Sequence, residues 1–273
     1  MKLFFLGTAS AEGYPAPFCE CINCREARKE GGKSLRLRSS LMVDDELLVD
    51  FGPDLLSYTL RYDIHFSQIK TLLITHSHYD HLFPNNLNYI LPETGTILTK
   101  PLDLKIICSR DVYEKIKYHS EKYEKDTPWK IMVIKEFETN FSHHFKITAL
   151  PATHMVNEEK ALFYIVQKED KTILLAFDTG MWGEEIWHFL KNYFFDVIVL
   201  DETMGYKNYR EHLNIEEIFI IKEKLINQKI INQNSLVIVT HISHNYNPCY
   251  SKLKEIFDSE GIMVAFDGME INI

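Results

Sequence analysis

The segment His76-Ser77-His78-Tyr79-Asp80-His81 constrains this 273-residue chain more than any other feature. It follows Thr75 and the short apolar run 71–74, which has the length and composition of a buried strand. In an extended loop leaving a strand, residues two apart point the same way, so His76 and His78 can hold one ion together. Asp80 and His81 fall where the chain is expected to turn into a helix, so they can face the other side and hold a second ion. A fold with such a loop must bring further ligands to the same place, and strand ends are where α/β sheets gather them. Three residues meet that requirement: His154 beyond the run 145–150, Asp178 beyond 172–177 and His241 beyond 236–240. The expected centre has His76, His78 and His154 on one divalent ion, Asp80, His81 and His241 on the other, and Asp178 bridging both. Its mixed nitrogen and oxygen donors accept zinc, manganese or iron.

Short β-branched runs recur along the rest of the chain, at residues 3–6, 41–43, 47–49, 105–107, 130–134, 162–167, 197–200 and 263–266. Helical spacing appears at 111–121, 183–191, 215–226 and 250–257, and Asn214 with Glu217 three residues on reads as an N-cap with its capping-box partner. The acidic pairs Asp44-Asp45 and Glu169-Asp170 read as hairpin turns. Strand pairs followed by strand–helix alternation, with no linker, repeat or low-complexity segment, predict one α/β domain over residues 1–273 containing two sheets. No apolar run reaches the roughly 18–20 residues that span a bilayer. The apolar stretch 3–6 is also short of the roughly 7–15 residues of a secretion-signal core, and reads as a first strand. With 30 Lys+Arg against 39 Asp+Glu, the net charge of -9 argues against long nucleic acid held by phosphate neutralisation.

Cys19, Cys21 and Cys24 place three thiols within six residues. A closed structural zinc site needs a fourth ligand, and His244, three residues past His241, is the first choice, ahead of Cys249 and Cys108. An odd number of cysteines without an export signal argues against a disulfide framework and for the cytoplasm.

Asp50 after the run 47–49, the His76-x-His78-x-Asp80-His81 segment, His154, Asp178 and His241 together resemble the metallo-β-lactamase-fold hydrolases. The resemblance implies an αββα sandwich, two mixed β-sheets flanked by helices, with the dinuclear site at one edge and Asp50 supporting the metal loops through hydrogen bonds. The segment Gly7-Thr8-Ala9-Ser10-Ala11-Glu12-Gly13-Tyr14-Pro15, the Cys19-x-Cys21-x-x-Cys24 cluster, Thr240-His241-Ile242-Ser243-His244 and the terminal Phe266-Asp267-Gly268-Met269-Glu270-Ile271 look more narrowly like the PhnP-type phosphodiesterases, over nearly the whole chain. That group implies a structural zinc on the three cysteines and His244, a homodimer, and a phosphate-contacting His to which His212 corresponds. Catalysis is then expected to involve His212 and Asp80, acting on a small, possibly cyclic, phosphodiester. One departure is visible: residues 200–205 offer acidic Asp201 and Glu202 in place of a further phosphate ligand. The alternatives on the same scaffold are a thioester hydrolase of glyoxalase type and a non-hydrolytic carrier like the pyrroloquinoline-quinone biosynthesis proteins. A β-lactamase or a transfer-RNA processing enzyme fits less well, the first for want of a counterpart to His81 in that class, the second because of the acidic charge.

Overall fold

The computed structural model describes residues 1–91, 94–120, 127–156 and 159–273. Strands β1 (Lys2–Gly7), β2 (Ser40–Val43), β3 (Leu47–Val49), β4 (Thr71–Leu73), β5 (Leu104–Cys108) and β6 (Trp129–Val133) lie side by side in chain order. The second sheet carries β7 (Thr139–Ser142), β8 (Phe145–Val156), β9 (Glu159–Lys168), β10 (Lys171–Ala176), β11 (Val197–Asp201), β12 (Leu236–Thr240) and β13 (Met263–Val264). The last strand, β14 (Glu270–Asn272), returns to pair antiparallel with β1 and makes the first sheet seven-stranded like the second. Both sheets are mixed. Strands β3 to β6 are mutually parallel, as are β10 to β13, so their carboxyl ends collect at one edge of each sheet.

The apolar runs are continuous because both faces of each sheet are covered. Along β10, Ile173 and Leu175 enter the layer between the sheets, where they share a core with Phe5, Val49 and Leu73 of the first sheet, while Leu174 and Ala176 face outward. That outer face is covered by α4 (Glu184–Leu190), α5 (Ile215–Asn227) and α6 (Tyr250–Asp258) through Ile186, Ile218 and Leu253. The outer face of the first sheet is covered by α2 (Leu55–Tyr62) and α3 (Arg110–Ser120) through Leu55, Tyr58, Val112 and Ile116. The layering is the expected αββα sandwich. Asn214 caps α5 with the full reciprocal box to Glu217, as the spacing predicted. No helix among the described residues is long and apolar enough to cross a membrane.

Several elements differ from the sequence reading. The helix expected directly after His81 does not form there. Leu82 first pairs with Phe51 in a parallel bridge, the Phe51 amide donating to the His81 carbonyl at 2.7 Å, and only then does a 3-10 helix cover Pro84–Ile90. Helix α2, helix α1 (Ile22–Glu30), β7 and β14 were not anticipated, and β8 runs six residues past Leu150 to Val156. Glu121, the expected last residue of α3, lies outside the described residues.

Candidate metal centre

Most of the proposed ligands lie beyond the ends of strands, whereas His154 lies within β8, two residues before its end at Val156. His241 directly follows β12, and Asp178 stands two residues beyond β10. Both have left-handed backbone, φ 63° and 38°, as does Asp50 after β3 at φ 64°. Three non-glycine residues in a region that costs each of them on the order of 1–3 kcal/mol are held there by their neighbours, and such strain concentrates at functional sites. Asp50 is fully enclosed. Its Oδ1 accepts from the Thr75 amide at 2.9 Å and its Oδ2 meets His81 Nδ1 at 2.6 Å, so it fixes the strand end and one imidazole at once. This is the supporting role that the family resemblance implied.

His76, His78, His154 and Asp178 form one cluster. His76 Nε2 and His154 Nε2 lie 3.0 and 3.1 Å from His78 Nδ1, and Asp178 Oδ2 is 3.5 Å from His76 Nε2. Asp80, His81, Asp178 and His241 form the second cluster, with His81 Nε2 3.1 Å from both Asp80 Oδ2 and Asp178 Oδ2, and His241 Nε2 2.9 Å from Asp178 Oδ1. Despite these short distances, His81 Nε2, His241 Nε2 and Asp178 Oδ1 have no hydrogen-bond partner of normal geometry among the described residues though they are buried. The atoms are close because they point at a common centre rather than at one another. Ligand atoms about 2.0–2.1 Å from a tetrahedral zinc stand about 3.3 Å apart, so the donor set and its spacing fit two divalent ions sharing Asp178.

The charge balance supports the same reading. Burial pushes His76 well below the ordinary histidine pKa and also lowers His78 and His154, leaving three neutral imidazoles with free lone pairs. In the second cluster burial opposes charge, but Asp178 and its fellow carboxylates push His241 up to about 10 and raise His81 well above its usual value. Burial likewise disfavours the Asp80 carboxylate, yet His81 and His241 hold it well below the usual range. Without metal, protons on these two imidazoles balance the carboxylates; a cation would displace them.

His212 belongs to the same place. Its ring lies 4.8 Å from that of His154 and stacks at 5.7 Å and 11° on that of His241. Its Nδ1 is 2.7 Å from Oδ2 of Asp201, a wholly buried carboxylate at the end of β11. Burial works against the imidazolium, but Asp201 outweighs it and raises the His212 pKa. Asp201 was read from sequence only as a departure from the expected pattern, yet it ends an apolar strand between β10 and β12 as Asp178 and His241 nearly do, and that position was the available signal. His78, Asp80, His154, Asp178 and His241 line, with His212, a cavity of about 300 Å³ whose exposed lining includes Glu12, Tyr209, Asn245 and Tyr246.

The cysteines converge separately. Cys19, Cys21, Cys24 and His244 form a cluster, with the Cys19 and Cys21 sulfurs 3.7 and 3.6 Å from His244 Nδ1. Backbone amides of Cys21 and Cys24 donate to the sulfurs of Cys19 and Cys21 at 3.4 Å each. Sulfur and nitrogen ligands of tetrahedral zinc stand about 3.6 Å apart, so this donor set fits that ion. Cys249 and Cys108 lie outside the cluster.

Residues 46–242 match the family described as the Beta-lactamase superfamily domain. The chain belongs to that family, as a hydrolase of metallo-β-lactamase fold with His and Asp clusters as candidate metal sites. Among solved structures, it is similar to a diphosphatase from the PhnP family, at 21% identity and TM-score 0.74, over 99% of this chain and 96% of that one. It is also similar to YhfI from Bacillus subtilis, a metallo-β-lactamase fold protein, at 16% identity and TM-score 0.72, over 99% and 98% of the two chains. Zn(2+)-bound PqqB from Methylobacterium extorquens is similar at 14% identity and TM-score 0.72, with both chains covered in full. At these identities the likeness is one of fold. No curated protein matches the sequence significantly.

Proposed function

We propose that this protein is a dinuclear metal-dependent phosphodiesterase acting on small phosphodiesters. The observation that carries the reading is the Asp201–His212 pair, set against the seven proposed ligands with His212 Nδ1 anchored 2.7 Å from Asp201 Oδ2; we assign its Nε2 to the substrate. Two divalent ions, when bound, supply Lewis acidity toward a phosphoryl oxygen and a water acidic enough to ionise near neutral pH. His76, His78 and His154 would hold the first ion, Asp80, His81 and His241 the second, and the Asp178 carboxylate would serve both. Asp201 keeps the proton on His212 Nδ1 and stabilises the imidazolium, so that Nε2–H can donate to the leaving alkoxide. Thr203, whose hydroxyl is 2.8 Å from His241 Nδ1, orients that ligand. We propose further that zinc on Cys19, Cys21, Cys24 and His244 is structural, that the protein works in the cytoplasm, where such thiols stay reduced, and that it is a homodimer.

Protein loaded with manganese or zinc should hydrolyse bis-para-nitrophenyl phosphate and a 2′,3′-cyclic nucleotide, and lose turnover on Asp80→Ala with His241→Ala. Turnover confined to a thioester or a cephalosporin would sink the reading, and none on any substrate would favour a carrier.

A further inference from the structure

Glu12 stands in the turn that follows β1, at the mouth of the metal cavity. Its carboxylate is held in place rather than waving in solvent. The Ser10 hydroxyl donates to Oε2 at 2.7 Å and the Asn245 side-chain amide to Oε1 at 3.1 Å. One donor per oxygen leaves lone pairs on both for something else to fill. Asn245 lies one residue past the proposed zinc ligand His244, so the carboxylate is braced from both sheets' loops.

Apart from the proposed metal ions and the His212 imidazolium deeper in, the cavity offers Glu12 no cationic partner: among the described residues, no lysine or arginine lines it. Arg38 braces the same turn by donating to the Ala11 carbonyl at 2.8 Å, but its charge is paired with Asp54 at 2.9 Å. Tyr209 and Tyr246, each about half exposed, complete the mouth with ring faces and hydroxyls. At the mouth, whatever a substrate carries beyond its reacting phosphate therefore meets one fixed negative charge, two phenols and no lysine or arginine.

We propose that Glu12 sets substrate charge, accepting hydrogen bonds from a neutral hydroxyl- or amine-bearing substituent and excluding one that carries a second phosphate. The inference rests on the phosphodiesterase reading and narrows it. A like charge brought beside a fixed carboxylate in a half-solvated cavity is disfavoured on the order of tenfold or more, and specificity built from repulsion is removed by neutralising the repelling group.

The test compares adenosine 2′,3′-cyclic phosphate with the same nucleotide bearing a 5′-phosphate, using metal-loaded wild type, Glu12→Gln and Glu12→Lys. Wild type should prefer the unphosphorylated nucleotide by about tenfold or more in kcat/KM, Glu12→Gln should narrow that ratio to within about threefold, and Glu12→Lys should invert it. Metal content and Tm of each variant check that the turn still folds. A ratio that all three proteins share overturns the proposal. Turnover of bis-para-nitrophenyl phosphate separates the two levels: where wild type hydrolyses it and the ratio stays fixed, only the inference falls; where no phosphodiester is hydrolysed, the functional reading falls and takes the inference with it.

Discussion

Replacing Asp201 by Asn probes the proposed acid while leaving all seven proposed ligands in the sequence. Asp201 Oδ1 already accepts from the Thr203 amide at 3.0 Å, so the new amide nitrogen falls opposite His212, where Oδ2 now sits at 2.7 Å. That nitrogen is a donor, and it turns His212 Nδ1 into an acceptor, which places the remaining proton on Nε2 of a neutral ring. A neutral imidazole can still hydrogen-bond a phosphoryl oxygen, but it is a very weak acid. The charge-assisted bond removed contributes about 2–3 kcal/mol to the imidazolium, which corresponds to a fall of about 30- to 150-fold in kcat. KM should stay within about twofold, because the loss is confined to the transition state. The assay is steady-state kinetics of wild type and Asp201→Asn on two diesters, one with a para-nitrophenol leaving group and one with an alkyl alcohol. An activated phenol leaves without a proton, so its rate should fall by less than about tenfold while the alkyl ester shows the full loss. Equal losses on both esters, or a loss carried by KM, would refute proton donation and leave His212 a phosphate-binding group.

Asp50→Asn puts a donor against His81 Nδ1 and should weaken binding at the Asp80, His81, Asp178 and His241 cluster by about 10- to 100-fold, read by competition with a chromogenic chelator. Unchanged affinity for both ions would contradict the support assigned to Asp50. Cys24→Ser should release one zinc per chain and lower Tm by roughly 10 °C, while the content of the dinuclear site is retained; mass spectrometry under native conditions and calorimetry check both. Burial raises the Asp267 carboxyl to about 6, above the usual 3.8, against bonds from Leu37, Thr8 and Arg61 that favour ionisation. The folded chain therefore keeps a proton that the unfolded chain releases, so stability should fall as pH rises from about 4 to about 6, by an amount on the order of 3 kcal/mol, and level off above. Urea titrations of metal-free wild type and Asp267→Asn across that window should show the slope in the first and not in the second.

The convergence of the two His and Asp clusters was legible in the sequence because each set of residues follows a run apolar enough to be a buried strand, and parallel strands put their carboxyl ends on one side. His76 and His78 converge as their two-residue spacing requires. What could not be read is mostly polar or short. Helix α1 buries only Cys24 and Ala27, so it shows no apolar stripe, and its start is capped by the Cys21 side chain, which no propensity rule anticipates. Helix α2 carried a weaker but available signal, since Leu55 and Tyr58 stand three apart behind Pro53-Asp54. Strand β14 has no fully buried residue and exists because the chain end returns to β1, a tertiary fact. Asp201 was visible as a residue, but its role depends on His212 being folded back onto it from eleven positions away.

The proposed ligands are divided between the two sheets: His76, His78, Asp80 and His81 leave β4, whereas His154, Asp178 and His241 come from or follow β8, β10 and β12. Half of the centre thus emerges early in synthesis and the rest only when residue 241 has been added. On the proposed assignment, a nascent chain would have no complete site for either ion until its halves had docked, so metal acquisition would be a late event and each ion, once seated, would act as a rivet across the seam between the sheets.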